Sequence, residues 1–290
     1  MTNADEVTSM DTVTDLHTAS PAASPAADAE RAARLAGVHV RELTSIADFA
    51  AVCVLFQQIW RTAPDSPLVT TELLRALTKA GNYLAGAFEG DRLVGACVGF
   101  FGAPAEGTMH SHIAGVAPEA AGRSVGYALK LHQRAWALVR GVAAIAWTFD
   151  PLVARNAYFN LVKLGATAVE YLPDFYGGMH DVVNVGDDTD RLLVRWDLRA
   201  RPVPVTAAPG HALVALGRTP AGAPQIGVLD GAALLVAVPS DIARLRAADP
   251  VVAREWRSAV REVLGGLFGS GARIAGFDRA GWYVLVREDA

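Results

Sequence analysis

TMHSHIAGVAPEAAGRSVGYALK, residues 108–130, reads as a strand, a break, a small-residue loop and a helix. The strand runs from Met109 to Val116, and Pro118 ends it because proline brings no N–H to a ladder. Gly122, Ser124 and Gly126 let the backbone turn tightly. From Val125 the apolar residues fall at helical spacing through Ala128, Leu131, Ala135 and Leu138. A strand feeding such a loop at a helix N-terminus is an anion site, since unpaired N–H groups and the helix dipole both favour phosphate. On the glycines alone an ordinary strand-to-helix turn explains the pattern equally well. The flanking sequence decides between the two.

Upstream, residues 1–34 are rich in Ala, Thr, Ser, Asp and Pro and read as a disordered tail with too little apolar mass to pack. Val38–Leu43 is a short strand. Ser45, with Asp48 three residues on, caps a helix over Ile46–Trp60, and a second helix spans Thr71–Ala80 and stops at Gly81. Tyr83–Phe88 and Leu93–Phe100 form a hairpin through Glu89-Gly90-Asp91-Arg92. Downstream, Val142–Phe149 is apolar without alternation, the pattern of a central strand covered on both faces. Asp150-Pro151 ends it, a helix follows over Leu152–Leu164, and strands follow at Ala166–Leu172 and Leu192–Leu198. The loop between those two strands is long and polar with aromatic residues at its tip, and it contains Asp174, Phe175, Tyr176 and His180. RPVPVTAAPG is a linker, and residues 201–290 read as a smaller C-terminal α/β subdomain with strands at Ala233–Val238, Arg273–Phe277 and Trp282–Arg287 around helices at Ser240–Ala247 and Val251–Phe268.

The composition excludes several classes. Of 290 residues 52% are apolar, ample for a core, and the net charge of −4 with interspersed signs leaves no broad basic face for nucleic acid. No apolar run is long enough to span a bilayer, and MTNADEV lacks the basic start of a secretory signal, so a cytoplasmic protein is expected. Cys53 and Cys97 lie in apolar periodic segments as buried thiols, without metal-ligand spacing. Trp136, Trp147 and Trp196 read as core.

The order of elements, with this loop after the fourth strand, resembles the GNAT (Gcn5-related N-acetyltransferase) superfamily. Val116-Ala117-Pro118 stands where that family has a V-x-P step, and Ala121-Gly122-Arg123-Ser124-Val125-Gly126 stands where it has (Q/R)-x-x-G-x-(G/A). Ala121 and Ser124 depart from the pattern. RNAYFNLVKLGA, residues 155–166, resembles a second family segment through Lys163-Leu164-Gly165, with Leu161 where a general-acid tyrosine usually stands and Tyr158 one helical turn earlier. The likeness covers residues 38–198. It implies an α/β fold with a mixed central sheet flanked by helices, an acyl-CoA-binding domain over residues 38–200, and acyl transfer to the amine of a small molecule, an amino acid among them. The co-substrate is acetyl-CoA or succinyl-CoA and no metal is required. The coenzyme residues it implies are Ala114, Val116, Gly122, Arg123, Ser124, Val125, Gly126, Tyr127, Asn156 and Phe159. Asp174-Phe175-Tyr176-Gly177 and Arg254-Glu255-Trp256-Arg257 resemble a narrower branch, succinyl-CoA:D-amino-acid N-succinyltransferases associated with N-succinylamino-acid racemases. A homodimer is compatible with all of this.

Acyl transfer from a thioester needs a neutral amine, a donor for the oxyanion and a departing thiolate. His110 and His112 lie two apart on one strand, so their side chains leave the same face unless a bulge intervenes. His110 occupies the strand position where the family carries its base, with His112 as the substitute; each has the alternative of a hydrogen-bonded structural histidine. An H-x-H metal site lacks a third ligand at useful spacing. Asp150, at the end of a central strand, is either a third catalytic candidate or a helix N-cap. Tyr158 is the candidate acid. Tyr176 and Phe175 are candidates for a substrate lid, Arg123 and Arg155 could hold a phosphate or carboxylate, and His180 is a further base candidate. Two other classes stand beside this one: a degenerate fold that binds an acyl-CoA or a partner without turnover, drawn from the lapsed positions Ala121, Ser124 and Leu161, and an enzyme that keeps coenzyme binding but runs another reaction, such as decarboxylation of an acyl-CoA.

Overall fold

The computed structural model describes residues 24–63, 65–177, 187–200 and 210–287. Ser45 and Asp48 form the reciprocal capping box that opens α2 (Ile46–Trp60), and Thr70 caps α3 (Thr71–Lys79). Strand β1 is His39–Glu42, and β2 (Tyr83–Glu89) and β3 (Arg92–Phe101) form the hairpin expected around Gly90, whose φ of 59° suits glycine. Then come β4 (Thr108–Val116), α4 (Val125–Val139) and β5 (Ala144–Phe149). Helix α5 (Ala154–Ala157) runs on as a π-helical segment over Tyr158–Lys163, and β6 (Thr167–Leu172) and β7 (Arg191–Asp197) complete a seven-stranded sheet in the order β1-β2-β3-β4-β5-β7-β6. All its pairings are antiparallel except β4 with β5. The apolar run over β5 therefore lies inside the sheet, as its lack of alternation requires.

One reading of the sequence is corrected at the N-terminus. Residues Pro25–Leu35, expected to be part of a disordered tail, form a helix, α1, with Ser24 as N-cap. Its face is alanine: Ala29, Ala32 and Ala33 are buried against α4. Alanine is the best helix former and lets two backbones approach closely, yet it adds little to a hydrophobic pattern. Residues 1–23 lie outside the described residues.

The C-terminal part holds a second, five-stranded sheet in the order β11-β12-β10-β8-β9. Its strands are β8 (Leu213–Arg218), β9 (Pro224–Ile226), β10 (Ala233–Ala237), β11 (Arg273–Asp278) and β12 (Trp282–Val286). Strands β8 and β9 were not anticipated; β9 has three residues and contains a proline on the sheet edge. Helices α6 (Ile242–Ala248) and α7 (Pro250–Val260) precede a π-helical turn over Arg261–Gly265 and α8 (Gly266–Gly269). One continuous apolar core, from Ala32 through Leu129, Ile145 and Leu192 to Trp256 and Leu285, runs through both sheets. A separate cluster with Phe49, Phe56, Leu84 and Val98 packs α2 and α3 on the other face of the first sheet. No helix among the described residues is long and apolar enough to cross a membrane.

Candidate active site

Strands β4 and β5 pair over three residues only, Thr108–His110 with Ala144–Ala146. Beyond His110 they part. The gap leaves Ala114 exposed although β4 lies in the middle of the sheet. The loop from Ala117 to Ser124 leaves β4 at this open end and enters α4.

A bulge does intervene between the histidines. Val98 pairs with Ile113 and Gly99 with Ser111, so His112 is the extra residue on β4. Both rings nevertheless gather on Phe100, with centroids 5.1 Å (His110) and 5.7 Å (His112) from it and 6.2 Å from each other. Since His110 pairs with Phe100 on one side and Ala146 on the other, these residues share a sheet face. Further along β4 a Cβ on Gly115 would lie 2.7 Å from the Trp60 ring, so Trp60 of α2 covers that strand. Thr148, two residues beyond Ala146, exchanges a hydrogen bond of 3.0 Å with the Tyr176 hydroxyl. Phe175 and Tyr176 stack edge-to-face and stay exposed at the margin of this face. Burial, then His112 and Lys130, push His110 below the ordinary imidazole value, and burial does the same to His112. Both shifts favour the neutral ring, the form that can accept a proton.

The opposite face of β4 carries Ser111, which takes a 2.7 Å hydrogen bond from the buried Lys130 of α4. Neither Lys130 nor Trp60 was singled out from sequence. The signal for Lys130 was available: Lys130 and Gln133 are a polar pair on the helix face that Gly126 and Ala137 share.

At the loop, Gly122 has φ 78° and Ser124 has φ 64°, a left-handed conformation in which its hydroxyl makes no capping bond to α4. A Cβ at Gly126 would meet only Val116, at 3.8 Å, so the fold itself does not demand glycine there. Open space at Gly126 beside an uncapped helix start fits an approaching phosphate. Val125 is buried, so only its backbone faces the loop. Arg123 turns to Glu89 instead, at 2.8 Å. Val116, Tyr127, Asn156 and Phe159 are half-buried.

Two candidates are placed elsewhere. Asp150 is buried and takes both nitrogens of Arg257 at 3.0 Å and one of Arg246 at 2.8 Å, while accepting from the Leu152 N–H at 2.9 Å. Burial alone would raise its carboxyl, but the two arginines outweigh it and hold the group at about 2. Asp150 is not the N-cap of α5, which is Val153; its bond to the Leu152 N–H closes a turn ahead of that helix, and the rest of the carboxylate is held in a set of ion pairs. Tyr158 accepts from Arg279 at 3.0 Å, with that guanidinium also over its ring; among the described residues none of its hydrogen-bond or ring partners is a histidine. Leu161 is core. His180 lies outside the described residues, and among those described no group of His, Cys, Asp and Glu could hold a metal. Cys97 is buried, and Cys53 half-buried; the three tryptophans read as core are buried.

No protein-family model and no curated protein matches the chain. Solved structures similar to it are GNAT-type acetyltransferases. The ribosomal-protein-S18-alanine N-acetyltransferase of Escherichia coli is 13% identical with a TM-score of 0.45, over 57% of this chain and 96% of that one. A Salmonella typhimurium protein described as an acetyltransferase, and solved with its cofactor acetyl-CoA, is 17% identical with a TM-score of 0.47, over 58% and 98%. A GNAT-family acetyltransferase of Streptococcus pneumoniae is 13% identical with a TM-score of 0.46, over 55% and 97%.

Proposed function

We propose that the chain is an acyl-CoA-dependent N-acyltransferase acting on the amine of a small molecule, with an amino acid as one candidate acceptor and an acetyl or succinyl group as the acyl load. One observation carries this reading: β4 and β5 part directly beyond His110, at the end where the loop opens α4. The gap offers backbone groups of β4 to a thioester. The amides of Gly122–Gly126 offer donors to a pyrophosphate, with Ala114, Val116, Tyr127, Asn156 and Phe159 along the rest of the coenzyme.

In this reading His110 takes the proton of the attacking amine, directly or through a water, and His112 is its substitute. The amine nitrogen bonds to the thioester carbon, the C–S bond breaks, and the coenzyme leaves as thiolate. The half-buried His110 imidazole, biased towards its neutral form, is suited to the first step. Trp60, Phe100, Tyr176 and Phe175 bound the amine side. Residues 38–200 carry both subsites, and residues 210–287 brace them through Asp150. Free Cys53 and Cys97 fit a reducing, cytoplasmic setting.

A second reading, coenzyme binding without turnover, draws on Tyr158 being occupied by Arg279 and on Leu161 in the core. Purified protein incubated with acetyl-, succinyl- and malonyl-CoA, with and without an amine panel, separates the two. Amine-dependent release of free thiol supports transfer. Binding by calorimetry without release supports the second reading, and absence of both overturns each.

A further inference from the structure

Lys130 is only 5% exposed and sits between three strands. Its ammonium donates to Ser111 Oγ of β4 at 2.7 Å and to Gln133 Oε1 of α4 at 3.2 Å, and it lies 3.9 Å over the Trp147 ring of β5. Cys97 of β3 stands beyond Ser111, its sulfur 3.8 Å from that hydroxyl. Among the described residues no Asp or Glu pairs with it. A buried ammonium without a carboxylate is a costly choice for a core position, since a methionine would fill the same space at no electrostatic cost. The place of this cation is informative: Ser111, its hydrogen-bond partner, lies between His110 and His112 on β4.

We infer that Lys130 is a positioning residue, a fixed cation beneath β4 that acts through the strand on His110 and keeps that ring unprotonated and ready to accept the proton of an amine. The inference deepens the acyltransferase reading and rests on His110 as the base. Among the described residues, the titratable groups acting on His110 are His112 from its own strand and Lys130 from α4; Phe100 of β3 and Ala146 of β5 bring no charge. Among the described residues, Cys97 is the titratable group acting on Lys130. Burial pushes the amine down to about 8, so it is still charged over the whole range in which His110 titrates. Charge repulsion between buried groups is weakly screened by salt.

The test is a proton NMR titration of the His110 ring in the free protein, in wild type, Lys130→Met, Lys130→Gln and Lys130→Arg. The two neutral variants should move the His110 midpoint to higher pH, and Lys130→Arg should restore the wild-type value. A mere packing role for Lys130 would leave the midpoint where it is. Wild type alone offers a second measurement should the neutral variants not fold. Coupling is reciprocal, so the His110 shift must show a smaller inflection as Lys130 titrates near pH 8. An unmoved midpoint, or no inflection, overturns the inference. Neither measurement needs coenzyme or turnover: a shifted midpoint in a protein that releases no thiol leaves Lys130's role intact and fails the acyltransferase reading.

Discussion

Replacing Asp150 by Asn should unfold the chain more easily while leaving the chemistry of the histidines in place. The carboxylate is buried, takes three arginine bonds of 2.8–3.0 Å from Arg246 and Arg257, and joins the end of β5 to α6 and α7. Asparagine keeps the shape but carries no charge, so both guanidiniums lose a charged partner, while Asp187 stays 2.6 Å from Arg246 and 3.0 Å from Arg257. Breaking one partner out of a buried ion set costs about 3–5 kcal/mol. In a chain of this length that is a fall of roughly 6–10 °C in Tm, at about 2 °C per kcal/mol. The pH dependence supplies an independent magnitude. A carboxyl held at about 2 against an ordinary 3.8 contributes about 2 kcal/mol to folding. Its folded value is depressed, so that stability is fully present above about pH 4 and is lost as the pH falls towards about 2. Calorimetric scans of wild type and Asp150→Asn from pH 7 to pH 2 measure both. An unchanged Tm at pH 7, or a mutant that keeps the wild-type acid slope, refutes the ion-pair account and returns Asp150 to the catalytic candidates.

His110→Ala should lower turnover by ~10²–10⁴, the range of general acid–base catalysis, with coenzyme affinity unchanged by calorimetry; full turnover across the pH range would move the base to His112. Because burial depresses His110, the acid limb of kcat/KM should lie below the ordinary imidazole value of 6.5 rather than above it. Gly126→Val should abolish coenzyme binding while Gly126→Ala folds normally, given the 3.8 Å clearance to Val116; undiminished affinity in the valine variant would remove the phosphate from this loop. Ala32→Glu should cost about 2 kcal/mol or more in chemical denaturation by forcing a charge into the α1–α4 contact, and no loss would mean that α1 does not dock in solution. Lys130→Met should raise stability at pH 7, and should remove a rise of about 3 kcal/mol that the wild type gains as the pH climbs from about 8 to 10.5, where the unfolded chain still holds a proton that the folded chain has lost.

Local patterns determined most elements of the chain. The capping box at Ser45 and Asp48, the Gly90 turn, the unbroken apolar run of β5 and the strand-loop-helix of 108–130 each use information within a few residues, and each is found as read. The same locality explains what was not read. Helix α1 packs through alanines, whose small side chains leave no periodic signature until α4 is beside them. The bulge at His112 exists only relative to β3, because two residues on one strand oppose one on its neighbour. The parting of β4 from β5 is likewise a property of a strand pair. Asp150 ends a strand in the sequence, but its partners Arg246 and Arg257 lie 96 and 107 residues away. Lys130 reads as one more polar residue on a helix, and only the closing of β3, β4 and β5 around it makes it a buried cation without a carboxylate. Propensity and periodicity act along the chain, whereas burial, register and charge pairing act between segments distant in it, and those interactions decide where the side chains of the site stand.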